Sequence, residues 1–343
     1  MKKPRESIIP VFVPHLGCPN NCVFCNQRRI SGEEEPATAE TVIEAVERAA
    51  SFLPAESMPQ LAFYGGSFTA IPEREQLSLL ETANKYLVEG KISSIRLSTR
   101  PDAIDGHILN YLKEYGVETI ELGAQSLDNE VLNLAGRGHT AEDVENASRL
   151  IKAAGFRLIL QMMTGLPGDS EEKTIRTAER IISLRPDGVR IYPTVIVRDT
   201  ALYDLWIAGR YKEHTVEEAV SWCSKLLPMF EEAGIPVIRL GLNPTDELSA
   251  GSAAAGAYHP ALGELVKSRI LRNEAEELLE GTPEGVDAVI GVERCLLSQM
   301  TGQHRCNVEY LERRFNLNSL KVKAADNLNG SVAVISIEKN QNI

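Results

Sequence analysis

A chain of 343 residues with 43% apolar side chains can bury a core that needs no covalent staple, so one large domain with a smaller one is the expectation. Six cysteines are too few for a disulfide scaffold, and three of them fall between Cys18 and Cys25, which points to metal in a reducing, cytoplasmic compartment. The 48 acidic residues outnumber the 36 basic ones for a net charge of -12, which disfavours non-specific attraction to phosphate backbones but leaves room for a local basic face.

From the N-terminus, the apolar run Ile8 to Leu16 is interrupted by two prolines and a histidine, so it is not read as a signal peptide. No stretch reaches the roughly 18 consecutive apolar residues of a membrane span, and no membrane partner is expected. Apolar, β-branched strands are predicted over 8–14, 61–64, 94–99, 119–122, 158–163 and 189–193. Between and after them, helix-period segments cover 39–53, 74–89, 103–115, 141–154, 171–184 and 216–232. Thr140 before an acidic first turn, and Gly116, Gly155 and Gly234 after helix ends, mark the boundaries. This alternation predicts an α/β fold of successive βα units, a partial (β/α)6 TIM-like barrel whose ligands sit at the carboxyl ends of the strands.

Past residue 243 the pattern changes to an Ala/Gly/Ser loop over 249–257, helices over 262–280 and 293–315, and two alternating strands flanking Asn329-Gly330 that read as a hairpin. The expected domains are a core over 1–243 and a small C-terminal α+β extension over 244–343.

The segment Cys18-Pro-Asn-Asn-Cys22-Val-Phe24-Cys25 directly follows the first predicted strand, so one loop at the barrel mouth gathers three thiols. Thiolates are the ligands of iron-sulfur clusters, and three of them leave one iron open to a chelating cofactor. The alternative is a structural zinc site completed by His15. Tyr64-Gly65-Gly66-Ser67-Phe68-Thr69 ends the second strand, and its glycines either admit a ligand to the backbone or simply make a tight turn.

With an aromatic residue before the third cysteine, the C-x-x-x-C-x-x-C spacing resembles the signature of the radical S-adenosylmethionine (radical SAM) superfamily. Further segments are similar, in the same order, to the radical SAM part of the Elongator catalytic subunit and more loosely to oxygen-independent coproporphyrinogen oxidase. They include Ser98-Thr-Arg-Pro-Asp102, Glu121-Leu-Gly-Ala-Gln125-Ser126, Arg137-Gly-His139-Thr140, Met162-Met-Thr-Gly-Leu-Pro-Gly168, Arg190-Ile-Tyr-Pro193 and Leu202-Tyr-Asp-Leu-Trp206.

The resemblance implies that Cys18, Cys22 and Cys25 hold a 4Fe-4S cluster. It also implies that Phe24, Gly65, Gly66, Ser67, Thr69, Gln125 and Arg137 surround S-adenosyl-L-methionine. An arginine fork suits the cofactor's carboxylate, although Arg137 could equally make a surface ion pair and Gln125 could cap a helix. Ser98, Gln161 and Arg190 depart from the residues of the relatives, respectively glutamate, histidine or aspartate, and lysine, and are included among the cofactor contacts.

The implied activity is reductive cleavage of S-adenosylmethionine to a 5'-deoxyadenosyl radical, fed by an external electron donor such as a flavodoxin. tRNA is the candidate macromolecular substrate. A small-metabolite substrate is the alternative, and a non-catalytic iron-sulfur or zinc binding protein is a third reading. The cysteine loop is shorter than in the Elongator subunit, and no acetyl-CoA loop is recognisable after residue 243, so acetyl-CoA-dependent carboxymethylation is not expected. Cys223, Cys295 and Cys306 read as buried core thiols, Met162 and Met163 as core, and Tyr258-His259-Pro260 and Gly302 to Asn307 as candidate substrate segments.

Overall fold

The computed structural model describes residues 7–13, 22–26, 36–54, 56–242, 252–326, 328 and 331–339. Contacts divide the chain into two units, one of Met1–Thr215 with Met229–Tyr258 and one of Val216–Pro228 with His259–Ile343.

The first unit is built on a seven-stranded sheet. Its strands are β1 (Ile8–Val13), β2 (Gln60–Gly65), β3 (Ser94–Thr99), β4 (Val117–Gln125), β5 (Arg157–Thr164), β6 (Gly188–Pro193) and, beyond the short β7 (Val195–Val197), β8 (Val237–Leu240). The order is β1-β2-β3-β4-β5-β6-β8, and every neighbouring pair is parallel. All six expected strands are present and curl into the expected partial barrel. The seventh, β8, escaped prediction because four residues, one of them Arg239, carry too little periodicity.

Helices return the chain between strands: α1 (Ala39–Phe52), α2 (Glu73–Val88), α3 (Gly106–Glu114), the short α4 (Asn129–Leu134), α5 (Ala141–Ala153) and α6 (Glu171–Leu184). Their starts are fixed by side chains that accept orphan backbone N–H groups. Thr38 and Thr140 each form a reciprocal capping box, and Asp105 and Ser170 cap α3 and α6.

Strand periodicity divides the sheet's side chains into two sets. Leu61, Phe63, Ile95, Leu97, Ile120, Leu122, Leu158, Leu160, Val189 and Ile191 are buried and form the apolar layer against the helices, each full burial contributing about 1.5–3 kcal/mol. The alternate set is mixed, with Ala62 and Ile159 among several polar side chains. Its deeper members, Arg96 and Glu121, are buried, whereas Tyr64, Ser98, Gln161 and Arg190 stay partly open.

The chain then continues through α7 (Ala201–Ile207) and α8 (Val216–Glu232). β7 pairs antiparallel with β9 (Ala253–Gly256), so part of the expected 249–257 loop is strand. Alanine and glycine have weak strand propensity, and the backbone ladder to β7 decides the outcome.

The second unit packs α9 (Leu262–Leu279), α10 (Leu297–Thr301) and α11 (Cys306–Arg314) with the strands β10 (Val286–Val292), β11 (Ser319–Ala324) and β12 (Val332–Lys339). The strand order is β11-β10-β12, with β10 parallel to β11 and antiparallel to β12. The predicted hairpin is therefore corrected: β10, an apolar strand of Ile290 and three valines, separates the two strands and takes the centre. Asn329 and Gly330 lie outside the described residues. The single helix expected over 293–315 is also broken, because Gly302, His304 and Arg305 all take positive φ, at 78°, 51° and 64°, and end one helix before the next begins. Among the described residues, no helix is long and apolar enough to cross a membrane.

Candidate functional site

The cysteine loop is pinned at the carboxyl edge of the first unit's sheet. Cys22 is buried, and the Cys25 N–H donates to its carbonyl at 3.1 Å. Val23 is held from two sides: its N–H donates to the Ala135 carbonyl at 3.0 Å and its carbonyl accepts from the Leu202 N–H at 2.7 Å. The Asn26 amide donates to the Asp199 carbonyl at 3.2 Å. Phe24 packs on Val131, Ala135 and Leu166 together with Met163. Cys18 and His15 lie outside the described residues, so the described structure places two of the three predicted thiols in one turn.

Arg137 reaches this turn from the loop after α4. Its Nη1 donates to Cys22 Sγ at 3.3 Å and its Nη2 to the Gly123 carbonyl at 2.8 Å. The backbone of Arg137 is held in turn, since Arg100 Nη2 donates to its carbonyl at 2.6 Å while Asp102 grips Arg100 through both oxygens, at 2.9 and 3.0 Å. The guanidinium is thus fixed directly on a buried sulfur. The adjacent His139 bonds the Ala124 carbonyl through Nε2 at 3.2 Å. Burial, and then the charge of Arg137, hold its pKa down to about 4.

At the end of β4 the ladder to β5 carries a bulge, and Gln125 sits at φ +62°, a left-handed conformation uncommon for a side-chain-bearing residue. Gly123 makes room for it: a Cβ there would stand 2.9 Å from Gln125 Nε2 and 3.2 Å from Arg137 Nη2. Gln161 Nε2 donates to Gln125 Oε1 at 3.4 Å. Gln125, Arg137, Gln161 and Cys22 are thus linked at one edge.

The β2 turn is built differently. Gly65 has φ +100° and the Gly66 N–H donates to the Val13 carbonyl at 2.8 Å. The Ser67 hydroxyl accepts from the Arg100 N–H at 3.1 Å and shares a hydrogen bond with Thr99 at 2.9 Å. Thr69 donates to the Ala103 carbonyl. Both hydroxyls brace the turn, which leaves the glycine backbone as the part able to meet a ligand. At the β5 turn, Asp169 accepts from the Gly165 N–H at 2.8 Å, and Gly165, at φ +76°, lets the buried His214 ring pack where a Cβ would come within 2.2 Å of it.

Deeper on the inner face lies a charged cluster of which only Arg190 was a predicted site residue. Glu121 accepts from Arg96 Nη1 at 3.0 Å and from the Tyr64 hydroxyl at 3.0 Å. Arg190 closes on both Glu121 oxygens, with Nε at 2.8 Å and Nη2 at 3.0 Å. Burial, and next the Glu121 carboxylate, push the Tyr64 pKa up to about 12. Ser98 donates to the Phe63 carbonyl at 3.4 Å and stands opposite Glu121 in register. The available signal was parity, because residues 96, 121 and 190 occupy the polar alternate positions of their strands.

Elsewhere, Cys223 is buried, and burial pushes its thiol pKa up to about 12. Cys295 and Cys306 are exposed, which corrects the expectation of three buried thiols: the broken 293–315 segment places Cys295 in a short 3-10 turn and Cys306 at the first position of α11. Met162 is fully buried. His259 accepts from the Ala261 N–H at 3.1 Å in a local turn, and the Asn307 amide donates to the carbonyls of Ser268, Gln299 and Met300 at 3.1, 3.2 and 3.2 Å.

A family model for the radical SAM superfamily matches residues 12–181, and one for the radical SAM C-terminal domain matches residues 186–272. The chain belongs to the radical SAM superfamily, a class that carries a 4Fe-4S cluster and S-adenosylmethionine. Within that class it is similar to the tRNA uridine(34) acetyltransferase of Methanocaldococcus infernus, at 35% identity over 46% of this chain and 31% of that protein. It is also similar to Elongator complex protein 3 of Homo sapiens, at 28% identity over 60% of this chain and 40% of the relative. The match therefore spans about a third to two fifths of these relatives' length. In fold, it resembles the archaeal Methanocaldococcus infernus Elp3 with an N-terminal deletion, with a TM-score of 0.62 at 24% identity over 78% of this chain and 64% of that one.

Proposed function

We propose that this chain holds a 4Fe-4S cluster on Cys18, Cys22 and Cys25 and uses S-adenosylmethionine to abstract a hydrogen atom from an RNA substrate. The observation that carries the reading is the buried Cys22 sulfur under the Arg137 guanidinium, at the sheet edge that also holds Gly65, Gly66 and Gln125. Soft thiolates fit iron-sulfur ligation, and a fixed cation beside one of them suits an anionic cluster.

Cys18, Cys22 and Cys25 would hold the cluster, and the cluster with S-adenosylmethionine would supply one-electron reductive cleavage of the cofactor's carbon-sulfur bond. The protein's own residues supply orientation. Arg137 offers a second charge-assisted donor face toward the cofactor's carboxylate, the Gly65-Gly66 backbone meets its amino group, and Gln125 binds its ribose, seated by the β4 bulge. Phe24 packs the cysteine turn onto Val131 and Leu166 and keeps water from it. Ser67 and Thr69 brace the glycine turn, while Ser98, Gln161 and Arg190 line the inner face below. A cytoplasmic setting keeps the thiols reduced, and an external donor such as a flavodoxin supplies the electron.

tRNA as substrate is supported by the similarity to proteins named for tRNA uridine(34) and Elongator. A small metabolite is the second reading, favoured by the charged Arg96, Glu121 and Arg190 inside the barrel, where a compact ligand fits better than a polymer.

Anaerobic reconstitution with iron and sulfide, then dithionite and S-adenosylmethionine, should give 5'-deoxyadenosine. Alanine at Cys18, Cys22 or Cys25 should abolish both the cluster absorbance and the product, while Cys223→Ala keeps both. A fully assembled cluster that yields no 5'-deoxyadenosine refutes the proposal. With deuterated tRNA added, label should appear in the 5'-deoxyadenosine. Its absence, alongside label uptake from a small metabolite, favours the second reading.

A further inference from the structure

The inner face of the barrel holds more positive charge than its described residues neutralise. Arg96 from β3 and Arg190 from β6 close on the same carboxylate, that of Glu121 on β4, at 3.0 and 2.8 Å. Two guanidiniums against one carboxylate leave one positive charge over, where Glu121 is 2% and Arg96 6% exposed. Arg239 of β8 stands opposite Arg190 in register and adds a third guanidinium to the same face, anchored through Nε on the Gly241 carbonyl at 2.9 Å. Burying a charge without its counter-charge is strongly unfavourable. Arg96 Nε is a buried donor with no hydrogen-bond partner among the described residues.

A purely structural plug would look different. Barrel interiors that only need filling use branched apolar side chains, and a structural ion cluster balances its charges. Here the same face is polar and partly open, with Ser98, Gln161 and Arg190 itself all retaining exposure. The arrangement is the floor of an accessible trough with one anion's worth of charge to spare.

We propose that Arg96 and Arg190 bind an oxyanion, a phosphate or carboxylate group of the substrate, on the floor of this trough. Planar guanidiniums present paired N–H donors that match either group. The Tyr64 hydroxyl, bonded to Glu121 and 3.1 Å from Arg190 Nη2, fixes the cluster's geometry. The inference rests on the proposed radical SAM activity only in taking the bound molecule to be that reaction's substrate.

The test titrates the reconstituted protein anaerobically, by calorimetry, with inorganic phosphate in one arm and acetate in another, against chloride at matched ionic strength and with or without saturating S-adenosylmethionine. The expected result is saturable binding of at least one oxyanion that persists with the cofactor present, the tighter arm naming the source of the group. Arg190→Gln and Arg96→Gln should each weaken it about tenfold, the loss of a charge-assisted contact, and Glu121→Gln, which removes the internal competitor, should tighten it. The proposal is overturned if neither anion exceeds chloride in the wild type, if S-adenosylmethionine displaces the anion, or if affinity is unchanged in the folded variants. Should the arginine variants fail to fold, the Glu121→Gln titration still decides. A wild type that forms 5'-deoxyadenosine but binds no oxyanion sinks this inference alone, whereas one that binds the oxyanion and forms no product supports it and sinks the activity.

Discussion

His139 illustrates how one buried side chain at the site edge sets a pH dependence. Its folded-state pKa is held down to about 4 against an ordinary 6.5, by burial first and the Arg137 charge second. Between those values the unfolded chain takes up a proton that the folded chain refuses. Stability is therefore complete above about pH 6.5 and is lost as pH falls toward 4. A shift of this size corresponds to roughly 3 kcal/mol, so the urea midpoint should drop clearly between pH 7 and pH 4.5 and drop less in His139→Gln. Equal drops in the two proteins would assign the acid sensitivity to other groups.

Two strands of the barrel end in glycines that serve different purposes. At Gly165, after β5, an added Cβ would come within 2.2 Å of the buried His214 ring, at φ +76°, and Ala there should cost about 1–3 kcal/mol. At Gly123, in β4, the Cβ would crowd the ends of the Gln125 and Arg137 side chains, at 2.9 and 3.2 Å, and meet the Thr99 carbonyl at an ordinary contact distance of 3.8 Å. Gly123→Ala should therefore keep its melting temperature close to wild type while weakening S-adenosylmethionine binding, and Gly165→Ala should show a lowered melting temperature. The reverse pattern would place the cofactor contacts elsewhere.

The contrast also marks what the sequence could reveal. The cysteine turn and Gly65-Gly66 were legible as thiols and glycines directly after predicted strands, whereas Gln125 and Arg137 were singled out only through the family resemblance. Arg96 and Glu121 were not, since a charge on a predicted strand ordinarily reads as solvent-facing, and only the curled sheet turns that side inward. The break at His304 and Arg305 was equally hidden, because a positive φ is uncommon for any residue with a side chain and two in succession are not signalled by a single histidine. The centre strand β10 was missed for another reason: Val286, Ala288, Ile290 and Val292 form its buried face, but Val289 and Gly291 on the opposite face leave little apolar-polar alternation in the sequence.

The second unit has a core of its own, from Leu271 and Leu279 through Ile290, Met300, Leu311 and Val332. Asn307, 4% exposed, ties α9 to α10 through one amide. Asn307→Ala leaves those carbonyls short of a donor and should cost about 1–3 kcal/mol. Hydrogen exchange should then accelerate in α9, α10 and α11 while β2 to β6 keep their protection. Uniform acceleration over the whole chain would show that the two cores unfold as one.

The division of each barrel strand into an apolar and a more polar set has an evolutionary consequence. Leu97 and Leu122 answer to folding, whereas Ser98 and Gln161, one step away or on the next strand, are left almost unconstrained by it. Exchanges at such positions are cheap for the scaffold and expensive for chemistry, so a lineage can drift to a new substrate without first acquiring spare stability. Ser98 and Gln161, both partly open on the inner face, belong to that permissive set, whereas Arg190, clasped on the buried Glu121 carboxylate, does not.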